Sequence, residues 1–408
     1  MKFKLLRILI LSLLIIPVIL TSQTVAQDVA RIKDTKYFRV FREISQKGRS
    51  IDKTVIMGPP NRPEGYVSTR VQFPESTKDA DINVLPDVPA FDWSFGCSAT
   101  SAAMIAGYYD RTGYPNMYTG PTNGGVMPMD NSSWPDWYDG TAWRNQCPLS
   151  ATHDGLDGRT IKGHVDDYWV SYNSPGPDPW VGNWTEHSYG DCTGDYMKTN
   201  QWIDPGPYNI DGGTRFYNYT NGSPLHWNDM ETYDIHIEDG GYGLKLFYQS
   251  RGYMVSNMYN QYIYGYGGNT NGFTYAQYCA EIDAGHPVMI HIEGHTMVGV
   301  GYDNSVTNLM YIHDTWDYNT YTMVWGGSYA GMKHYGVTIV QLELAVVGCQ
   351  SDFDGDDYVN GSDLVVFAED FGRTDCSGDC EGGFDPDGDV DGSDLVTFIV
   401  DFGRTNCP

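Results

Sequence analysis

The feature that most constrains this chain is a repeat near its end. Gly361–Cys376 reads GSDLVVFAEDFGRTDC, and Gly392–Cys407 reads GSDLVTFIVDFGRTNC, the same unit 31 residues later. Two copies in register imply two supersecondary units packed on one another, since neither could bury its apolar face alone. The repeat also concentrates charge. Residues 349–408 hold 14 Asp and 2 Glu against 2 Arg, about half of the chain's net charge of -27. A surface of that sign repels nucleic acid and attracts cations.

Spacing says how a cation would be held. Ahead of the first copy, DFDGDDYVNGSD sets Asp352, Asp354, Asp356, Asn360 and Asp363 at positions 1, 3, 5, 9 and 12 of a twelve-residue loop. Those offsets turn oxygen side chains inward around a hard cation, as in a calcium loop of the EF-hand type. The second loop, GFDPDGDVDGSD, offers Asp385, Asp387, Asp391 and Asp394 at positions 3, 5, 9 and 12, with Asp389 at position 7 and Gly383 at position 1. The runs LVVFAEDFG and LVTFIVDFG then predict one short helix per loop. Two loop-helix units with Asp at position 12 and no helix ahead of either loop resemble a type I dockerin module, over roughly 349–408. The resemblance implies a small all-α tail, structural Ca2+, and docking to a cohesin-type scaffold or cell-surface protein through Gly361-Ser362 and Gly392-Ser393.

The start of the chain sets the compartment. Lys2, Lys4 and Arg7 precede an apolar run from Ile8 to Leu20, followed by the small-residue site Thr24-Val25-Ala26. This reads as a signal peptide over 1–26 and a secreted protein without a transmembrane anchor. An exported chain can form disulfides. The tail cysteines 349, 376, 380 and 407 suggest two bridges with three connectivities open, and Cys147 and Cys192, in loop-like sequence, suggest another. Cys279 lies in FTYAQYCAEIDAG, an amphipathic helical pattern in which a buried thiol is ordinary. That leaves Cys97 as either a nucleophile or a partner of Cys279.

Cys97 stands in WSFGCSATSAAMIAGYYD, at the entry to a small-residue helix, where an N-terminus favours a thiolate. A nucleophilic cysteine needs a histidine base, a group to orient it, and donors for the oxyanion. The block GHPVMIHIEGHTMVGVGYDNSVTNLMYIHDTWD reads as three strands with a turn at Asn304–Asn308. Antiparallel pairing through that turn brings His295 to Asp314. His291 is a rival that Gly294 would separate from His295, and His313 faces away from Asp314.

These motifs, GCSATSAAMIAGYYD followed by GHTMVGVGYD and IHDTWD, resemble the papain-like superfamily, most closely the bacteriocin-processing (double-glycine leader) cysteine peptidases and their secreted relatives, over roughly 88–344. The resemblance implies an α+β fold, a cysteine-bearing helix on an antiparallel sheet, with Cys97 as nucleophile, His295 as general base and Asp314 as orienting residue. Such peptidases keep a Gln before the nucleophile, and Phe91–Gly96 contains none; the Cys97 N–H and the Ser94 hydroxyl are the substitute donors.

The expected domains are therefore an N-terminal segment or propeptide (27–86, including GPPNRPEGY), a peptidase-like domain (87–345) and the tail. Residues 111–270 read as turn-dense, aromatic loops that wall a substrate cleft. His153, Asp154, Asp157, His164, Asp166 and Asp167 match no zinc spacing and read as a solvated loop. The expected function is hydrolysis of a peptide or protein substrate. The alternative is a catalytically silent copy of the fold serving surface assembly or glycan binding.

Overall fold

A strand whose every residue is buried has neighbours on both faces, and His295–Asp303 is such a strand. It lies within a nine-stranded antiparallel sheet in the computed structural model of the chain. The sheet runs Leu225–His226, Met254–Tyr262, Met332–Glu343, Val288–Ile292, His295–Asp303, Leu309–His313 and Thr320–Val324; Ser328–Tyr329 pairs with Met332–Glu343, and Ile82–Val84 with His295–Asp303. The structure describes residues 29–343 and 350–403, apart from 46, 73–80, 116, 119, 121, 139–141, 152–173, 176–191, 200–208, 211, 377–379 and 385–387. The signal segment 1–26, the six residues from His153 to Asp167 named above, Cys349, Cys407, Asp385 and Asp387 lie outside the described residues. No helix among the described residues is long and apolar enough to cross a membrane.

The helix Cys97–Arg111 is buried from Cys97 through Asp110. Its composition explains how. A helix packed on all sides must let neighbours approach closely, and Ala99, Ala102, Ala103, Ala106 and Gly107 supply the small surface. The helix packs against the strands Val288–Ile292 and His295–Asp303. Phe91, Trp93, Phe95, Met104 and Tyr278, each fully buried, belong to the same core, and burial of each such side chain is worth about 1.5–3 kcal/mol.

The N-terminal segment is built into this unit. Ala30–Asp34, Phe38–Ile44 and Ser50–Ile56 form an antiparallel sheet whose fourth strand, Thr214–Tyr219, comes from far along the chain. Phe38, Val40 and Ile56 enter the main core. Tyr262 Oη donates to Asp52 at 2.9 Å, and Arg42 Nε and Nη2 donate to the same carboxylate at 2.8 and 2.9 Å.

The tail folds around its own centre. Among the described residues Val359, Phe367, Val390 and Phe398 are its buried apolar cluster, with Phe353 and Phe384 packed on them. The repeat is visible in three dimensions, since Gly403 N donates to the Val359 carbonyl at 2.8 Å and Gly372 N to the Val390 carbonyl at 2.7 Å, the same clasp made twice. The helices are Gly361–Asp370 and Gly392–Asp401, each opened by a capping box.

Cysteine pairing departs from the expectation at one point. Cys376 and Cys380 form a disulfide, which settles their connectivity. Cys147 and Cys192 do not bridge; both are buried, where a thiol behaves as a small apolar side chain. Cys97 is free, so it is not paired with Cys279, whose own thiol is half-buried on the helix Tyr275–Asp283.

Candidate active site

A sharp local turn delivers Cys97. Phe95 (φ 53) and Gly96 (φ 124) both lie at positive φ immediately before the helix. For Phe95 that conformation is costly and persists only because the surrounding core holds it. Gly96 cannot be replaced lightly either, since a Cβ there would meet the Gly212 carbonyl at 2.9 Å. As the N-cap, Gly96 offers no side chain to the first-turn N–H groups, so these remain available to an anionic group beside Cys97.

His295 opens its strand one residue after Gly294 (φ 120), which turns the hairpin from Val288–Ile292. Its Nε2 sits 2.7 Å from the Asp314 carbonyl and 3.2 Å from Thr315 Oγ1. A carbonyl only accepts, so Nε2 carries the proton and Nδ1 is the basic nitrogen. Nδ1 is buried with no hydrogen-bond partner. It faces the cysteine. A Cβ built on Gly58 would meet Cys97 Sγ at 2.7 Å, the Gly294 carbonyl at 2.8 Å and His295 Nδ1 at 2.9 Å. The thiol and the basic nitrogen thus flank one point. The ring of Trp316 stacks on His295 at 4.0 Å and 18°, which fixes the plane of the imidazole.

Burial sets the charge state. It pushes the Cys97 thiol up to about 11, against hydrogen bonds from Thr296 and Ser98, and takes His295 down to about 3. In this closed arrangement the pair is a neutral thiol and a neutral imidazole rather than an ion pair.

Two expected roles need correction. Asp314 does lie beside His295, but through its backbone carbonyl. Its carboxylate is turned away, accepting from Arg62 Nη2 at 2.8 Å, Tyr329 Oη at 2.7 Å and Trp316 N at 3.2 Å. The next residue explains the geometry, because Thr315 at φ 63 reverses the chain there. Ser94 is not a spare oxyanion donor. Its hydroxyl donates to the Ala151 carbonyl at 3.3 Å and accepts from Cys147 N at 3.1 Å, so it pins the loop 147–151. A serine has one proton to give.

His291 and His313 are occupied. His291 bonds Thr338 Oγ1 at 2.8 Å and Thr296 Oγ1 at 3.3 Å, and His313 bonds the Pro89 carbonyl at 3.1 Å and Thr320 Oγ1 at 3.2 Å. Gly58, Arg62, Thr315 and Trp316 belong to the site without having been singled out in sequence. The signals available were GPPNRPEGY, a glycine ahead of two prolines, and the Thr-Trp that follows Asp314.

In the tail, oxygens of Asp352, Asp354 and Asp356 lie within 4.8 Å of one another, as do those of Asp389, Asp391 and Asp394, and either group could hold a metal ion. Asn360 and Asp363 brace the loop instead. Asp363 accepts from Phe353 N and Asn360 N, each at 2.8 Å, and Asn360 caps its helix at Ser362 N. Like-charged oxygens held this close repel one another unless a cation lies between them.

Comparison of the chain with family models, with curated proteins and with solved structures finds no match.

Proposed function

We propose that this protein is a secreted cysteine peptidase that hydrolyses peptide bonds through Cys97 and His295, and that its tail is a dockerin-like module that binds Ca2+ and docks to a cohesin-type partner. The observation that carries the first part is the basic Nδ1 of His295, buried without a partner and flanking Gly58 together with Cys97 Sγ. An orphaned buried acceptor costs about 1–3 kcal/mol, and taking a proton from the thiol repays it in function. In the proposed reaction His295 accepts the Cys97 proton as Sγ adds to the substrate carbonyl. The N–H groups at the start of the helix receive the oxyanion, and His295 then protonates the leaving amine; a water that gives its proton to His295 next attacks the thioester, releasing the carboxylic acid, and that proton returns to Sγ. The Asp314 carbonyl holds the imidazole throughout, so the unit is a Cys-His pair oriented by backbone.

Digestion of a random peptide mixture tests this directly. Products that form with the native protein or with a chain nicked after residue 66, and that vanish in Cys97→Ala and His295→Ala, are expected. The absence of any Cys97-dependent product, from the intact chain or from one nicked after residue 66, would overturn the reading in favour of a catalytically silent fold. One observation favours that second reading, the engagement of the Ser94 hydroxyl elsewhere, which leaves the oxyanion to backbone donors.

The calcium reading rests on the two carboxylate groups and the loop spacing. The docking reading rests on Leu364, Val365, Phe371, Val396, Ile399 and Phe402, which are exposed on the two tail helices and at their C-terminal ends. Apolar residues exposed in equivalent places suit a protein partner.

A further inference from the structure

Cys97 and His295 are both 0% exposed. A peptide cannot reach them in this conformation, so something must move, and the segment lying on them says what. We propose that Met57–Arg62 is a strap that closes the catalytic pair, making the chain a latent enzyme that opens when Arg62 is released. The latency deepens the peptidase reading and rests on it; the covering of Cys97 is tested separately.

The strap follows directly from the strand Ser50–Ile56 and is fastened at successive residues by different parts of the molecule. Met57 N donates to the Tyr37 carbonyl at 2.9 Å. Trp316 Nε1 donates to the Pro59 carbonyl at 2.9 Å, and Arg144 Nη2 donates to Asn61 Oδ1. Arg62 then hooks Asp314 at 2.8 Å and Asp317 at 3.2 Å, with its guanidinium 4.6 Å from the centre of the Tyr321 ring. Gly58 sits over the thiol, the imidazole and the Gly294 carbonyl, where any Cβ would come within 3 Å of all three. Only glycine lets a backbone approach that closely.

The strap fills the site without being gripped as a strand. Pro59 and Pro60 lack N–H groups, so the segment cannot form the regular main-chain ladder that aligns an extended peptide for cleavage. It is also hinged. Ser50–Ile56 is paired to Thr214–Tyr219 over residues that precede the strap, whereas Arg62 leads into a surface stretch where Val67 is 90% exposed. A cut there separates the hook from its downstream anchor, where Val71 N donates to the Thr320 carbonyl at 3.1 Å, and so loosens the far side of the strap. Asp314 thus serves both states, its carbonyl on the imidazole and its carboxylate on the strap.

The experiment measures alkylation of Cys97 by iodoacetamide at neutral pH in the full-length protein, mapped by mass spectrometry. Six forms are compared: native, Arg62→Gln, and a chain with a protease site placed at Val67 and cut after folding, each with and without His295→Ala. A strap closed nine-tenths of the time or more lowers the apparent rate about tenfold or more, so labelling in the Arg62→Gln and cut forms should be faster by that factor. Should Arg62→Gln fail to fold, the cut chain, which keeps Arg62, decides alone. Equal labelling of Cys97 in the intact and opened chains would overturn the strap. Acceleration that persists undiminished without His295 would leave the strap standing and remove the peptidase reading.

Discussion

In the unit that carries Cys97, one helix is buried along nearly its whole length, and the sheet beneath it presents His295–Asp303 with every residue buried. In the tail, the helices Gly361–Asp370 and Gly392–Asp401 bury Phe367 and Phe398 around two valines and leave most of their remaining surface in water. The first region has enough core to hold strained residues such as Phe95 and Thr315 in place, and with them a thiol and an imidazole at fixed positions. Among its described residues the second has four buried apolar side chains, two clusters of three carboxylates and one disulfide. A segment that small cannot be held by apolar burial alone and needs staples. The comparison teaches where each region keeps its information, in packed side chains in one and in charge spacing in the other.

Chelation should divide the two regions most sharply. Every tryptophan lies before residue 326, so tryptophan fluorescence reports the first region and far-ultraviolet dichroism reports both. With calcium at a thousandfold its Kd the tail gains about 4 kcal/mol. Removing it should lower the tail transition by well over ~10 °C while the tryptophan transition stays put. A tryptophan transition that moves with the tail would dissolve the comparison.

A second, somewhat smaller effect should come from Asp314→Asn. The substitution leaves Arg62 facing a neutral amide with Asp317 as its remaining partner, and removes a charge-assisted bond to a fully buried carboxylate, at a cost of about 1.5–3 kcal/mol, visible as a lower tryptophan-detected midpoint. Because the carbonyl at 314 still holds His295 Nε2, the pH dependence of Cys97 labelling in the folded variant should match that of Arg62→Gln, in which the hook is released and the carboxylate kept. A profile displaced by the substitution would restore the carboxylate to the role that the sequence first suggested for it.

The smallest effect should come from Thr315→Val. It removes one of two hydrogen bonds at His295 Nε2 and leaves the stronger one, so about 1 kcal/mol is at stake, or roughly a fivefold slower alkylation of Cys97. An unchanged rate would show that the Asp314 carbonyl and the Trp316 ring orient the imidazole without help.

The sequence was most informative where chemistry depends on local spacing. The repeat, both loops, the two tail helices, the helix beginning at Cys97 and the three strands around His295 could all be drawn from periodicity and turn residues, since each is decided within about a dozen positions. Cys147 and Cys192 show the limit of such reasoning, because loop-like composition says nothing about whether two thiols meet. Ser94 and the Asp314 carboxylate show another. Sequence offers the side chain, but which of its atoms faces the site depends on a backbone reversal at Thr315 and on a loop, 147–151, brought in from fifty residues away.

What the sequence by itself determined is the tail's pattern of carboxylates and the presence of a thiol at a helix entry with a histidine at a strand start. These follow from periods of two and 3.6 residues and from fixed loop offsets. Only the tertiary structure decided that the imidazole is held by a carbonyl, that the paired atoms are closed to solvent, and that the residue lying on them is Gly58. These contacts range from His295 with Asp314, 19 residues apart, to Gly58 with His295, more than two hundred apart, and their geometry is set by how whole layers pack, which no local pattern encodes.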